Sequence, residues 1–182
     1  MREEVNKLLA DDHSELDGLL AEVFASFETG NLERIYKSLD LFWARLAMHI
    51  RAEHLHLFPA ILDALESENQ TGEKNVPTFQ KAERAIEQLK DDHNFFMREL
   101  LAAIKQMRGL LEAEETNIEA LLRRVRDSVI TVKNRLDAHN RMEEAEVYNW
   151  ADALLQRAKR ARLNEKMEKE IGNLPPRFKP DE

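Results

Sequence analysis

Apolar residues recur at steps of three and four along almost the whole chain. This spacing follows the turn of an α-helix, roughly 3.6 residues, and gives each segment one apolar face. The pattern is interrupted around residues 28–31, 67–77 and 112–117, and the first two interruptions contain glycine or proline. It therefore predicts four helices, at about residues 3–28, 32–66, 78–112 and 117–163.

The predicted helices are long, and the connections between them are short. Short connections favour antiparallel neighbours. We therefore predict an all-α protein that folds as an antiparallel up-down-up-down four-helix bundle over residues 1–163. Residues 164–182 are charged and contain three of the five prolines. We predict that they form an irregular or loosely docked C-terminal tail.

The composition narrows the range of functions. The chain has 182 residues, enough for one domain with a substantial core. It has no cysteine, which excludes disulfides, thiolate metal ligands and cysteine nucleophiles. A net charge of -8 argues against a nucleic-acid partner, because nucleic-acid binders usually carry a basic stripe.

No segment of the sequence is predicted to enter a membrane. The longest stretch without Asp, Glu, Lys or Arg has nine residues, at 54–62, which is too short to span a bilayer. The N-terminus lacks an apolar signal segment. We therefore expect a cytoplasmic protein without a membrane partner.

Four of the six histidines follow a pattern that occurs twice. In each half of the chain, one histidine follows a pair of aspartates and the next opens an H-x-x-x-E motif. Residues 49–58 align without a gap to residues 139–148, which predicts an internal two-fold repeat. All of these side chains fall on the apolar faces of their helices. The set consists of His13, His49, Glu53, His93, His139 and Glu143.

Helix geometry predicts that the four histidines lie in one layer. His13 and His49 both lie roughly 26–28 Å from the first turn, at a rise of about 1.5 Å per residue. The heights of His93 and His139 above the third break differ by roughly 6 Å, which a loop can absorb. Glutamates that face a core are costly unless they are paired or bind a metal, so the cluster indicates a metal site.

The residue types favour two metal ions. Each imidazole offers one nitrogen, whereas a carboxylate has two oxygens and can bridge two ions. A histidine from each helix and two bridging glutamates would give each ion two imidazoles and two carboxylate oxygens. Such a set, with coordination positions left open, favours two non-haem iron ions, and zinc or another divalent metal is the alternative.

Several neighbouring residues have two interpretations. His56 lies three residues beyond Glu53 on the ligand face, and its repeat counterpart is Glu146; both are either additional ligands or polar residues at the core edge. If the two ions are unequal, we expect the cause at this pair. Asp12 and Asp92 either orient adjacent imidazoles or form a solvated acidic surface.

Two further residues receive structural interpretations. We expect His54 on the surface or rim, because it points about 100° away from the preceding glutamate in a regular helix. Tyr148 is interpreted as a core or groove residue.

The motif order H, HxxxE, H, HxxxE resembles that of the hemerythrin-like (HHE cation-binding) domain family. Leu57-Phe58-Pro59, which follows the first motif, is similar to a recurrent feature of that family. The resemblance covers about residues 5–158 and implies a non-haem di-iron centre held by the six residues above. The chain lacks the HxxxH pair of oxygen-carrying hemerythrins and the cysteine-bearing N-terminal segment of the iron-repair branch.

Our functional hypothesis is a di-iron protein that binds or senses a small diatomic ligand, such as oxygen or nitric oxide, or that senses iron or redox state. One alternative is a di-metal enzyme with oxidase, peroxidase-like or iron-centre repair activity. Another is a metal-free helical interaction module. The sequence singles out no catalytic residue and favours a binding protein over an enzyme.

Overall fold

The computed structural model describes residues 4–67, 76–112 and 117–178. The ordered elements in these ranges are all helical, and none of the described residues forms a strand. The predicted all-α class is therefore confirmed. The second and third predicted breaks lie mainly at residues 68–75 and 113–116, and these fall outside the described residues, as do residues 1–3 and 179–182.

Seven α-helices account for most of the described chain. They are α1 (Val5–Thr29), α2 (Leu32–Ala52), α3 (Phe58–Ser67), α4 (Phe79–Glu112), α5 (Ile118–Met142), α6 (Tyr148–Leu154) and α7 (Arg157–Ile171). A short 3-10 turn follows at Pro176–Phe178. Two π-helical segments, each of five residues, link α2 to α3 and α5 to α6. We call them the first π turn (Glu53–Leu57) and the second π turn (Glu143–Val147).

The break between α1 and α2 follows from its local sequence. Gly30 adopts a left-handed conformation with φ 65°, and its N–H donates to the carbonyl of Phe27. A residue without a Cβ takes this conformation at little cost. The Asn31 side chain then accepts from the N–H of Arg34, 3.0 Å away, and caps α2. The first predicted break is therefore confirmed.

The two π turns were not predicted. Each begins at the glutamate of an H-x-x-x-E motif, and each is closed by an N–H that bonds five residues back rather than four. Phe58 donates to the carbonyl of Glu53, and Tyr148 donates to the carbonyl of Glu143. The wider turn inserts one residue relative to an α-helix, so side chains beyond each glutamate point in different directions from those expected.

Helix packing produces two apolar clusters with a polar layer between them. On α1, Leu8 and Leu9 belong to one cluster, and Leu16 and Leu20 belong to the other. The same division recurs on α4. Buried His13 on α1 and buried His93 on α4 lie at the boundary between the two clusters. Helix α1 packs against α2, α2 against α4, and α4 against α5.

The expectation of an irregular tail was wrong for residues 164–171. They belong to α7, and the predicted tail boundary at residue 163 falls inside this helix. The fourth predicted helix is also not continuous to residue 163, because Leu155 is extended and separates α6 from α7. Leu163 and Met167 are buried, one helical turn apart, and α7 packs along α2. Two apolar residues on one face thus anchor a segment whose composition is otherwise charged.

None of the helices in the described ranges is long and apolar enough to cross a membrane.

We predict that Met167→Ala lowers the free energy of unfolding by about 2–4 kcal/mol, because the side chain is fully buried and truncation leaves a cavity. Chemical denaturation of the full chain measures this change. The matched control is Glu165→Ala, two residues earlier on the exposed face of α7. A change within about 0.5 kcal/mol for Met167→Ala would show that α7 is only loosely docked.

Candidate metal centre

The structure brings the four histidines and two glutamates of the repeated motifs into one buried cluster. One histidine comes from each of α1, α2, α4 and α5, and a glutamate opens each π turn. Every one of these side chains is buried, and both glutamates are completely inaccessible to solvent. The members of the cluster are His13, His49, Glu53, His93, His139 and Glu143.

The imidazoles form two pairs. In the first pair, the Nε2 atoms of His13 and His49 are 3.2 Å apart. In the second pair, the Nε2 atoms of His93 and His139 are 2.9 Å apart. In each pair, the two histidines and Glu143 can offer ligand atoms that all lie within 4.8 Å of one another. Glu143 is therefore common to two possible ion positions.

Each glutamate directs one oxygen towards each pair. Glu53 places Oε1 3.5 Å from Nε2 of His49 and Oε2 3.3 Å from Nε2 of His93. Glu143 places Oε2 3.4 Å from Nε2 of the α1 histidine and Oε1 3.1 Å from Nε2 of the α5 histidine. This is the arrangement that a carboxylate needs in order to bridge two ions.

In each pair, one histidine has an aspartate beside its outer nitrogen, Nδ1, which faces away from the other histidine. The Nδ1 atom of His49 is 2.8 Å from Asp12, and that of His139 is 3.1 Å from Asp92. Both aspartates are buried, so the interpretation as a solvated acidic surface is wrong. Each aspartate also accepts from an arginine one turn before the paired histidine. These arginines are Arg45, at 2.7 Å, and Arg135, at 2.8 Å.

The other two outer nitrogens have partners that the sequence did not suggest. The Nδ1 atom of His13 is 2.8 Å from Glu144, and that of His93 is 2.9 Å from Nε2 of His54. His54 is half-buried, as expected for a rim position, but the sequence did not predict that its ring reaches the second pair. Glu144 and His54 both directly follow the glutamate of a motif, at the start of a π turn.

The cluster does not include His56 or Glu146. His56 lines a surface groove with Leu55 and Pro59. Glu146 accepts from Lys81 at 2.7 Å. Regular helix geometry would place both on the ligand face, but the π turns rotate them away from it.

Tyr148 also reaches the cluster, a contact that the sequence analysis did not predict. Its hydroxyl oxygen is 2.8 Å from Oε1 of Glu53, 3.0 Å from Oε2 of Glu143 and 3.0 Å from Nε2 of His13. The side chain is completely buried. Tyr148 is five residues beyond Glu143, a spacing that shares a face only across a π turn, so recognition of that turn was the missing signal.

The hydrogen bonds at Nδ1 of His13 and His49 direct the lone pairs of their Nε2 atoms towards each other. The carboxylates of Glu144 and Asp12 accept from Nδ1, so the protons of neutral His13 and His49 lie on Nδ1. Both Nε2 atoms then present lone pairs to each other across 3.2 Å. Such an arrangement is repulsive unless a proton or a metal ion lies between them.

Burial and charge shift the protonation of the cluster. Burial lowers the pKa of His49, but the charge of Glu53 and the hydrogen bonds to Asp12 and Glu53 outweigh it and raise that pKa to about 10. Burial, reinforced by the charge of Glu143, raises the pKa of Glu53. Burial would also raise the pKa of Glu143, but His139 and hydrogen bonds hold it well below its usual range. Without a metal ion, a proton on His49 supplies positive charge.

Two buried carboxylate oxygens accept no hydrogen bond from the described residues. They are Oε2 of Glu53 and Oε1 of Glu143, the oxygens that face the second pair. An unsatisfied buried acceptor costs about 1–3 kcal/mol. Two such oxygens beside two imidazole nitrogens fit a cation, so the cluster has the donor atoms and the charge to hold a metal ion.

No protein-family model matches the chain, and no curated protein or solved structure matches it either.

We predict that Asp92→Asn weakens metal binding about 10–100-fold, because His139 loses the carboxylate that orients it and increases its basicity. Competition titration with Zn²⁺ and a chromophoric chelator measures the affinity. The matched control is Asp91→Asn, which removes an exposed carboxylate one residue earlier. Equal affinities for the two variants would show that Asp92 does not support the site.

Metal affinity should also rise with pH. His49, with a pKa of about 10, is protonated at neutral pH in the metal-free protein and must lose that proton to bind an ion. The proton on His49 alone contributes about a tenfold gain in affinity for each pH unit below about pH 10. Calorimetric titration with Zn²⁺ in buffers of different ionisation enthalpy counts the protons released. An observed enthalpy that is independent of the buffer would contradict this prediction.

Proposed function

We propose that the protein holds a non-haem di-iron centre through which it binds or senses a small ligand such as oxygen or nitric oxide, or senses iron or redox state. One observation carries the proposal: each buried glutamate directs one oxygen to each of two histidine pairs. The mixture of imidazole and carboxylate suits iron, and zinc is the alternative metal.

We also propose a fold and family for this centre: an up-down-up-down four-helix bundle of the hemerythrin-like type, with an internal two-fold repeat. Matched local features in the two halves support it. Each half has an Asp-His pair and an arginine one turn before the motif histidine, and each motif ends in a π turn. The contacts of α1 with α2 and of α4 with α5 suit two helical hairpins.

The protein's own residues would hold the metals and keep the site dry. The four histidines and two glutamates would supply the ligand atoms, and Asp12 and Asp92 would orient two of the imidazoles. Phe96 meets the ring of His139 edge-on at a centroid distance of 5.2 Å. This buried phenyl group excludes water beside the second pair.

When bound, iron would supply redox chemistry and exchangeable coordination positions. The protein would supply a buried site of fixed geometry, with few groups able to donate protons. Such a site suits reversible binding of a small uncharged molecule. It also favours a binding or sensing role over turnover.

The bridging geometry predicts that both ions depend on one glutamate. We expect the wild-type chain to bind two iron ions and Glu143→Gln to lose both, because each ion would take one oxygen of this carboxylate. Elemental analysis and visible absorbance, recorded anaerobically and then with oxygen or nitric oxide, measure the outcome.

The control for this experiment is Glu83→Gln, an exposed substitution on α4 that should leave two ions bound. Circular dichroism checks that each variant is folded. A wild-type protein that takes up no metal after iron supplementation would refute the proposed function. Retention of one ion by Glu143→Gln would show that the carboxylate does not bridge.

A further inference from the structure

We propose that the two metal positions are unequal: Tyr148 is a fifth protein ligand at the position of the first pair, and the exogenous ligand binds at the position of the second pair. This inference rests on the proposed metal function and assigns different roles to its two ions. The first position would hold a structural ion, and the second would hold the reactive one.

The hydroxyl oxygen of Tyr148 lies where a ligand atom would be. Atoms bound to one ion at about 2.0–2.2 Å, at right or tetrahedral angles, are about 2.8–3.6 Å from one another. The Tyr148 oxygen is 2.8, 3.0 and 3.0 Å from atoms of Glu53, Glu143 and His13 that all face the first pair. Three further separations around this position, His13–His49, His13–Glu143 and His49–Glu53, run from 3.2 to 3.5 Å.

Hydrogen bonding alone leaves this oxygen poorly matched to its neighbours. A phenol has one proton, so it can donate to only one of the two carboxylate oxygens at a time. When both glutamates are ionised, the other carboxylate oxygen then faces the phenol oxygen at 2.8 or 3.0 Å without a proton between them. A cation at the centre of the three groups removes this repulsion because all three oxygens can bind it.

Among the described residues, none places an equivalent group at the second position. The residue that closes the first π turn is Phe58, as Tyr148 closes the second. Phe58 stacks on His93 with a centroid distance of 6.2 Å, and Tyr148 lies 5.6 Å from the ring of His13. A phenyl ring offers no donor atom, so the second position has four protein ligand atoms and more room for an exogenous ligand.

The inequality therefore arises at Phe58 and Tyr148, rather than at His56 and Glu146 as the sequence suggested. Coordination breaks the O–H bond of Tyr148 and forms an oxygen–metal bond, and the proton leaves to solvent. No electron is transferred in this step.

The two tyrosines of the chain provide a direct spectroscopic test. Tyr36 is half-buried, and its oxygen accepts from Arg108, so Tyr36→Phe is the matched control. The test loads the protein with ferric iron and records visible absorbance and resonance Raman spectra for phenolate-to-iron charge transfer. The band is expected in the wild type and in Tyr36→Phe, and it is expected to be lost in Tyr148→Phe.

Zn²⁺ provides a second readout that does not depend on redox chemistry. Loading should produce an ultraviolet tyrosinate difference spectrum in the wild type and in Tyr36→Phe but not in Tyr148→Phe. If Tyr148→Phe fails to fold, the spectra of the wild type and Tyr36→Phe decide the question. A chain that binds two ions without any phenolate signal, or whose signal survives in Tyr148→Phe, overturns the inference and leaves the di-iron proposal standing.

Azide serves as the probe for the open position. Phe58→Tyr, which places a hydroxyl on the equivalent ring of the second half-site, should weaken azide binding to the ferric protein at least tenfold. Tyr148→Phe should not weaken it. The reverse result would assign the exogenous ligand to the first position and overturn this part of the inference. A wild-type chain that binds no metal would refute the proposed function and the inference together.

Discussion

The constraint that shapes this protein is the burial of two glutamates inside a layer of histidines. A carboxylate removed from water must be paired, protonated or bound to a cation. Here the glutamates lie within 3.1–3.8 Å of the imidazoles, and two of their four oxygens accept no hydrogen bond from the described residues. The apolar clusters on either side hold this arrangement in place, because water cannot reach it to solvate the charge.

The polar side chains around the histidines continue the pairing of opposite charges towards the protein surface. Asp12 holds His49 from behind, and Arg45 holds Asp12 while also donating to the carbonyl of Ile171 at the end of α7. The C-terminal helix is thereby connected to a metal-site histidine through two side chains. In the other half, Asp92 and Arg135 repeat the first two steps, but Arg135 is more exposed than Arg45. The two halves therefore make similar contacts but differ in how far their arginines are exposed to solvent.

The sequence predicted the cluster wherever the chain is a regular α-helix. Four histidines on apolar faces and two i,i+4 glutamates were enough to identify the residues that come together, and the aspartates adjacent to two histidines were recognised as possible partners. One cause explains what the sequence missed or left open: the contacts of His54 and Tyr148 with the cluster, and the choice between two roles for His56 and Glu146. All four lie beyond a motif glutamate, where a π turn replaces the regular helix and the 3.6-residue spacing no longer gives the direction of a side chain. The end of α6 was missed for a related reason, because an extended Leu155 carries no glycine or proline signal.

Because of the π turns, the geometry of this site depends on how many residues follow each motif glutamate, as well as on their types. Removing one residue from 144–147 would let α5 and α6 join as an uninterrupted α-helix with good hydrogen bonding. It would also turn everything downstream by about 100° relative to α5, and Tyr148 would leave the centre without being mutated. Chains with the same motif and nearly the same composition can therefore differ in which side chains reach the buried cluster through a single insertion or deletion.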